Sequence, residues 1–103
     1  MKEELKFTPV QWSVSEESTL DLFVSPVCYF DLSGYEGEAE RERVLVNACW
    51  IAAMPMMYGL LDAMRNGIVP DPCTAASKLL AEIESDVESR LRRRRRRIRR
   101  VQR

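Results

Sequence analysis

The chain has 103 residues, of which 46% are hydrophobic, and its 16 basic and 16 acidic side chains give a formal net charge of zero. This length predicts one domain around one core, and the apolar content excludes a wholly disordered chain. Histidine is absent and the three cysteines are widely spaced, which removes the commonest general base and the close ligand pairs of a zinc site. We expect a cytoplasmic protein that is not an enzyme and holds no metal or cofactor.

The two signs of charge lie in different parts of the sequence. Residues 90–103 contain ten arginines and no acid, whereas residues 1–89 contain the other six basic residues and all 16 acids. The formal charge is therefore −10 (6 − 16) over residues 1–89 and +10 over residues 90–103. We predict a single α+β domain over 1–89, followed by an arginine-rich helical extension or tail over 90–103.

The first third of the chain predicts a small antiparallel sheet. Residues 10–15 alternate between apolar and polar side chains, as a half-buried strand does. Two further segments, 20–24 and 27–32, are rich in β-branched and aromatic residues. Pro26 lies between them and predicts a turn, because proline has no amide hydrogen for a strand ladder. We expect a β-meander of three strands, or a hairpin with a bent second strand.

The hydrophobic period becomes helical from Glu38 onward. Pro55 has no amide hydrogen to donate inside a helix, so the first helix is predicted to end or kink near Ala53. A second helix over 55–65 can use the proline at its first position, and Gly67 is typical of the residue that closes a helix. The chain therefore predicts a helical pair bent at the proline. The proline also interrupts the longest apolar run, so we predict no membrane span.

A third helix is predicted from Asp71 and Pro72, which are a favourable N-cap and a favourable first residue. Apolar residues then recur at steps of three and four, and the same series continues through Arg94 to Ile98 and Val101. We therefore expect one long C-terminal helix that enters the arginine segment.

The arginine segment is the main candidate for a binding site. Guanidinium groups bind phosphate oxygens in a bidentate way and stay protonated at physiological pH. Consecutive arginines surround a helix on all sides, which predicts binding that ignores nucleic-acid sequence. The predicted phosphate-binding residues are Arg90, Arg92, Arg93, Arg94, Arg95, Arg96, Arg97, Arg99 and Arg100. Two alternatives remain open: pairing with acids of the same or a neighbouring subunit, or a solvated run without a partner.

Methionine and aromatic side chains cluster around Pro55. Thioethers adapt to irregular surfaces, and the apolar supply is generous for so small a sheet. Packing in the core or between subunits is favoured over a binding surface for another protein. We predict a homo-oligomer, with an oligomer or partner surface formed by Trp50, Met54, Met57 and Tyr58.

Two stretches resemble a known group of proteins. Residues 8–12, Thr-Pro-Val-Gln-Trp, resemble the Thr-Pro-Gly-Pro-Trp opening of many short bacteriophage and prophage proteins of unknown function. Residues 47–57, Asn-Ala-Cys-Trp-Ile-Ala-Ala-Met-Pro-Met-Met, are similar to their Asn-Ala-Arg-Leu-Ile-Ala-Ala-Ala-Pro-Glu-Leu-Leu helix. The likeness covers residues 8–85 and leaves out the arginine segment. Cys49 and Trp50 stand where those proteins have Arg-Leu, and Gly-Pro of the opening is also replaced.

The resemblance implies a phage accessory protein that acts in the bacterial host cytoplasm by binding host molecules, and it supplies no catalytic residue. Together with the charge pattern, it leads us to expect a non-enzymatic protein that binds a phosphate-bearing partner, either nucleic acid or a host nucleotide. The alternative is a protein-interaction or structural oligomerisation module that acts on a host protein.

Overall fold

A computed structural model describes residues 11–101. Three strands and three helices follow one another in this range. They are β1 (Ser13–Glu16), β2 (Asp21–Ser25), β3 (Cys28–Asp31), α1 (Glu38–Ala52), α2 (Met54–Arg65) and α3 (Pro72–Val101), with a 3-10 turn at Leu32–Gly34. The predicted α+β class, with a small sheet before the helices, is confirmed.

The sheet is an antiparallel meander in the order β1-β2-β3. Pro26 lies in the short connection between β2 and β3, as its missing amide hydrogen predicts, and the Ser25-Pro26 bond is cis. The first strand begins at Ser13, later than the predicted start at residue 10, which lies outside the described residues. Val14 faces Val24 in the sheet register, so both place their side chains on the buried face.

The predicted bend at Pro55 is present. α1 ends at Ala52, α2 begins at Met54, and the two helices meet at an angle of 40°. Pro55 occupies the first turn of α2, where its missing amide hydrogen costs no helical hydrogen bond. Gly67 follows α2 with a φ of 69°, a backbone conformation that glycine adopts without steric cost.

α3 begins where the sequence predicts. The Asp71 carboxylate accepts hydrogen bonds from the Thr74 amide at 3.2 Å and from the Thr74 hydroxyl at 2.6 Å. This cap satisfies one of the free amides at the helix start. The helix then continues for 30 residues, about 45 Å at the usual rise. No break separates the acidic half of α3 from its arginine half, so the predicted boundary at residue 89 marks a change of charge within one element.

The core lies between the sheet and α1, with α3 as its third wall. Leu22, Val24 and Ala48 are fully buried, and Leu45 is nearly so. Leu91 of α3 packs against this cluster although it lies inside the arginine segment. α2 has no buried residue at all. The core is therefore small and depends on the C-terminal half of α3.

Within residues 11–101, no single helix has the length and apolar composition needed to cross a bilayer. α1 and α2 pass that test only as a pair taken together across their bend.

Candidate phosphate-binding face of α3

α3 sorts its arginines onto two sides. Residues three or four apart share a face of a helix, so the members of a continuous run of arginines lie on different faces according to their position around the helix axis. One group contacts the rest of the chain: Arg90, Arg94, Arg95 and Arg97. A second group is exposed, and none of its members forms an ion pair with an acid within residues 11–101: Arg92, Arg93, Arg96, Arg99 and Arg100. We call this second group the arginine stripe.

Arg94 lies in the interior. Its side chain is only 1% exposed, and it is the largest fully buried side chain in the described range. Its Nε and Nη2 donate to the two carboxylate oxygens of Glu38 at 2.6 and 3.1 Å. Nη2 also donates to the Thr19 carbonyl at 2.9 Å, and Nη1 lies 3.4 Å from Glu16 Oε2. All three nitrogens thus have partners in the chain, and Arg94 is unavailable to an external phosphate.

Arg95 forms a second bidentate pair, on the outer side of α1. Its Nε and Nη2 donate to the two carboxylate oxygens of Glu42 at 2.9 and 2.8 Å. The hydrogen bond from this guanidinium holds the pKa of Glu42 below its usual value. Glu42 therefore stays ionised, and much of the charge of Arg95 is neutralised locally.

Arg90 and Arg97 join α3 to β1. Arg90 Nη1 donates to the Val14 carbonyl at 3.1 Å, while its Nε donates to Asp86 at 3.0 Å. Arg97 Nη1 lies 3.4 Å from Glu16 Oε2, a weak contact that leaves most of its donors open. Intramolecular pairing, one of the alternatives that the sequence left open, therefore applies to four of the nine predicted phosphate-binding arginines.

The arginine stripe occupies the side of α3 opposite Arg94. All five of its side chains are exposed. Arg92 and Arg100 mark its ends, about 12 Å apart along the helix axis. Arg92, Arg96 and Arg99 also line a shallow cleft of about 220 Å³ together with Arg95. The arginines thus do not present the same charge on all sides of the helix. One face is the exposed arginine stripe, and the opposite face is paired with the rest of the chain.

The predicted methionine and aromatic surface lies on the helical pair. Trp50 and Met57 are half-buried, whereas Met54 and Tyr58 are exposed. α2 also exposes Leu61, at 63% of its full area. Because α2 has no buried residue, its apolar side chains are not part of the core. Of the alternatives for this helix, packing between subunits and binding of another protein stay open.

The cysteines lie in three different environments. Cys49 is buried, and this burial raises the pKa of its thiol to about 11, which keeps it protonated and unreactive. Cys28 is half-buried, and Cys73 is exposed at the start of α3. Residues 11–101 bring no three metal-ligating side chains together.

Comparisons with known proteins give no family. No family model matches the chain, and neither a curated protein nor a solved structure matches it. The resemblance to short phage proteins therefore stays a prediction.

Proposed function

We propose that this chain is a non-enzymatic protein that binds a phosphate-bearing partner, nucleic acid in the first place, through the arginine stripe. The observation that supports the proposal is the division of the α3 arginines between a paired face and an exposed face. Four arginines are paired within the chain, while five on one exposed face form no ion pair with an acid among the described residues. A cationic row of this kind attracts phosphates and releases their counterions.

The acidic half of α3 does not neutralise the stripe. Glu88 and Arg92 are four residues apart, a spacing that the sequence predicts to form an ion pair, yet no ion pair joins them. Arg90 pairs with Asp86 instead, on the side of the helix that faces β1. Within residues 11–101, the acidic half of α3 thus forms no ion pair with the stripe.

The shape of the stripe favours an extended anion over a single small one. Its length of about 12 Å along α3 fits several phosphates in succession. It carries no aromatic side chain, so binding there rests on the phosphate backbone and is expected to be indifferent to base sequence.

The salt dependence of duplex DNA binding tests this proposal. Five phosphate contacts predict a slope of about −4.5 in a plot of log affinity against log salt concentration. The double variant R96Q/R99Q removes two contacts and should reduce the magnitude of that slope by about 1.8. Fluorescence anisotropy of a labelled duplex at several salt concentrations provides the measurement.

A matched control removes two exposed cations elsewhere. Arg43 lies on α1 and Lys78 lies in the acidic half of α3, and both are exposed. The variant R43Q/K78Q has the same net charge as R96Q/R99Q and should keep the slope of the unmodified protein. Equal slopes for the two variants, or no binding at low salt, would contradict the proposal.

A second candidate function is protein association through α2, supported by its exposed apolar surface. α2 carries one acid and one base, Asp62 and Arg65, and these pair with each other. The remaining surface is uncharged, which favours a homo-oligomer or an apolar surface of a host protein. This candidate includes the predicted contact residues Trp50, Met54, Met57 and Tyr58.

We expect Leu61→Glu to reduce the oligomer mass measured by sedimentation, because a carboxylate would replace a side chain that the interface buries. Val101→Glu is the control, since Val101 is 73% exposed at the far end of α3. A monomeric unmodified protein would argue against the oligomer. The phage origin and the bacterial cytoplasm belong to the same proposal and rest on the resemblance in residues 8–85.

A further inference from the structure

Two adjoining clefts form a groove between β1 and α3. The first, of about 230 Å³, includes Trp12 and Val14 on one wall and Asp86 and Arg90 on the other. The second, of about 370 Å³, is lined by Val14, Glu16, Arg90, Arg93 and Arg97. Val14 and Arg90 line both clefts, so the two spaces meet there. The groove lies beside the arginine stripe and shares only Arg93 with it.

The two ends of this groove differ in chemistry. The first cleft combines the ring of Trp12 with apolar groups and with polar side chains, among them Gln11 and Glu82. Aromatic rings stack on nucleobases, and carboxylates and amides bond to base edges. A phosphate is disfavoured at this end, because Glu82 and Asp86 both line it.

The cationic end offers the opposite environment. Arg93 is exposed and forms no ion pair among residues 11–101, where the ion pair of Arg97 is its long contact with Glu16. Arg90 adds a third guanidinium, which the Val14 carbonyl and Asp86 hold in position. Glu16 is the single acid that lines this cleft, and Arg94 and Arg97 flank it. Three cations against one such acid favour phosphate at this end.

The length of the groove limits the ligand. Val14 and Glu16 lie on the same side of β1, which begins one residue after Trp12, and the four residue steps from Trp12 to Glu16 span about 13 Å at the rise of a strand. One nucleoside monophosphate is too short to contact both ends. A nucleoside triphosphate, or successive nucleotides of a single strand, has the required length.

We propose that the groove between β1 and α3 binds a nucleotide, with its base against Trp12 and its phosphates on Arg90, Arg93 and Arg97. The inference rests on the proposed function, because both assume that the partner carries phosphate. It adds a recognition site for the base, which the arginine stripe lacks, and it places this site on a different side of α3.

The test uses ATP and a single-stranded oligothymidylate, with the emission of Trp12 as the signal. A Trp50→Phe background leaves Trp12 as the only tryptophan. We expect at least one of the two ligands to change Trp12 emission on saturation, while adenosine and inorganic tripolyphosphate each bind far more weakly. The ligand that binds more tightly identifies the source of the nucleotide as free or as part of a strand.

Arg93→Gln should weaken that ligand roughly tenfold or more, because it removes a charge-assisted contact. Arg43→Gln is the matched control, because Arg43 is exposed on α1 outside both the stripe and the groove, and it should leave ATP affinity unchanged. Both residues are exposed and form no ion pair within the part of the chain that the structure describes, so neither variant should lower the melting temperature. The groove assignment is overturned if neither ligand changes Trp12 emission, if tripolyphosphate binds as tightly as ATP, or if the two variants weaken ATP equally.

The two proposals fail in different ways. In one outcome, R96Q/R99Q reduces the salt slope of duplex binding, but no nucleotide binding is weakened by Arg93→Gln. This outcome supports the stripe as a nucleic-acid site and contradicts the groove as a nucleotide site. In the other outcome, Arg93→Gln weakens nucleotide binding, but the protein binds no duplex. This outcome supports the groove as a nucleotide site and contradicts nucleic acid as the partner of the stripe.

Discussion

A chain that ends at Ser89 is expected to lose its cooperative thermal unfolding transition. Such a chain lacks Arg94 with its buried ion pairs, Leu91 with its packing on the core, and the bond from Arg90 to the Val14 carbonyl. The loss of the buried pair and of Leu91 amounts to about 5 kcal/mol, comparable to the whole stability of a small domain. Circular dichroism during heating is the measurement.

A chain that ends at Ile98 is the control for this truncation. It removes residues 99–103, of which the described ones, Arg99, Arg100 and Val101, are exposed, and it keeps every hydrogen bond and ion pair described between α3 and the rest of the fold. We expect its stability to change by about 0.5 kcal/mol or less. If the chain ending at Ser89 melts like the one ending at Ile98, then residues 1–89 do form the independent domain that the charge pattern predicts.

Arg94→Ala is expected to lower the free energy of unfolding by about 3 kcal/mol, although it lies in a run of six identical residues. The change leaves the Glu38 carboxylate and the Thr19 carbonyl without the donors that they have now, and it leaves Glu16 with its long contact to Arg97. Removing one partner of a buried ion pair typically costs about 3 to 5 kcal/mol. Glu38 is partly exposed and regains some water, which places the expected loss at the lower limit. The melting temperature should fall by roughly 10 to 20 °C.

Arg92→Ala is the matched comparison, because it makes the same chemical change two residues away on the exposed stripe. It should change stability by about 0.5 kcal/mol or less. Arg94→Lys should retain the charge and lose the bidentate geometry, so its stability should lie between those of the unmodified protein and Arg94→Ala. Equal melting temperatures for Arg92→Ala and Arg94→Ala would show that the arginines are interchangeable and that Arg94 has no structural role.

Much of the fold could be predicted from local signals. Pro26 predicted the turn between β2 and β3, Pro55 predicted the bend between α1 and α2, and Asp71 predicted the start of α3. Each of these residues acts through its own backbone or through neighbours within a few positions, so no knowledge of the tertiary structure is needed. The class and the order of the elements followed from them.

The division of the arginines could not be derived from composition, because six consecutive identical residues carry no periodic signal. The signal lay in the apolar series on either side, in which Arg94 follows Leu91 by three residues and precedes Ile98 by four. A charged residue at such a position predicts a buried charge that needs a partner. Glu38 lies in the first turn of α1, where a carboxylate is favourable in any helix, and nothing in the local sequence connects it with Arg94 across more than fifty residues.

The position of Arg94 inside a run of six arginines makes its contacts tolerant of a change in the length of that run. A chain that lost one arginine from 92–97 would still carry arginine at position 94, with the same contacts to Glu38 and Glu16. Only the residues after the run would move, each by about 100° around the helix axis. The loss of one arginine from the run thus leaves the buried guanidinium in place and changes the far end of the cationic surface.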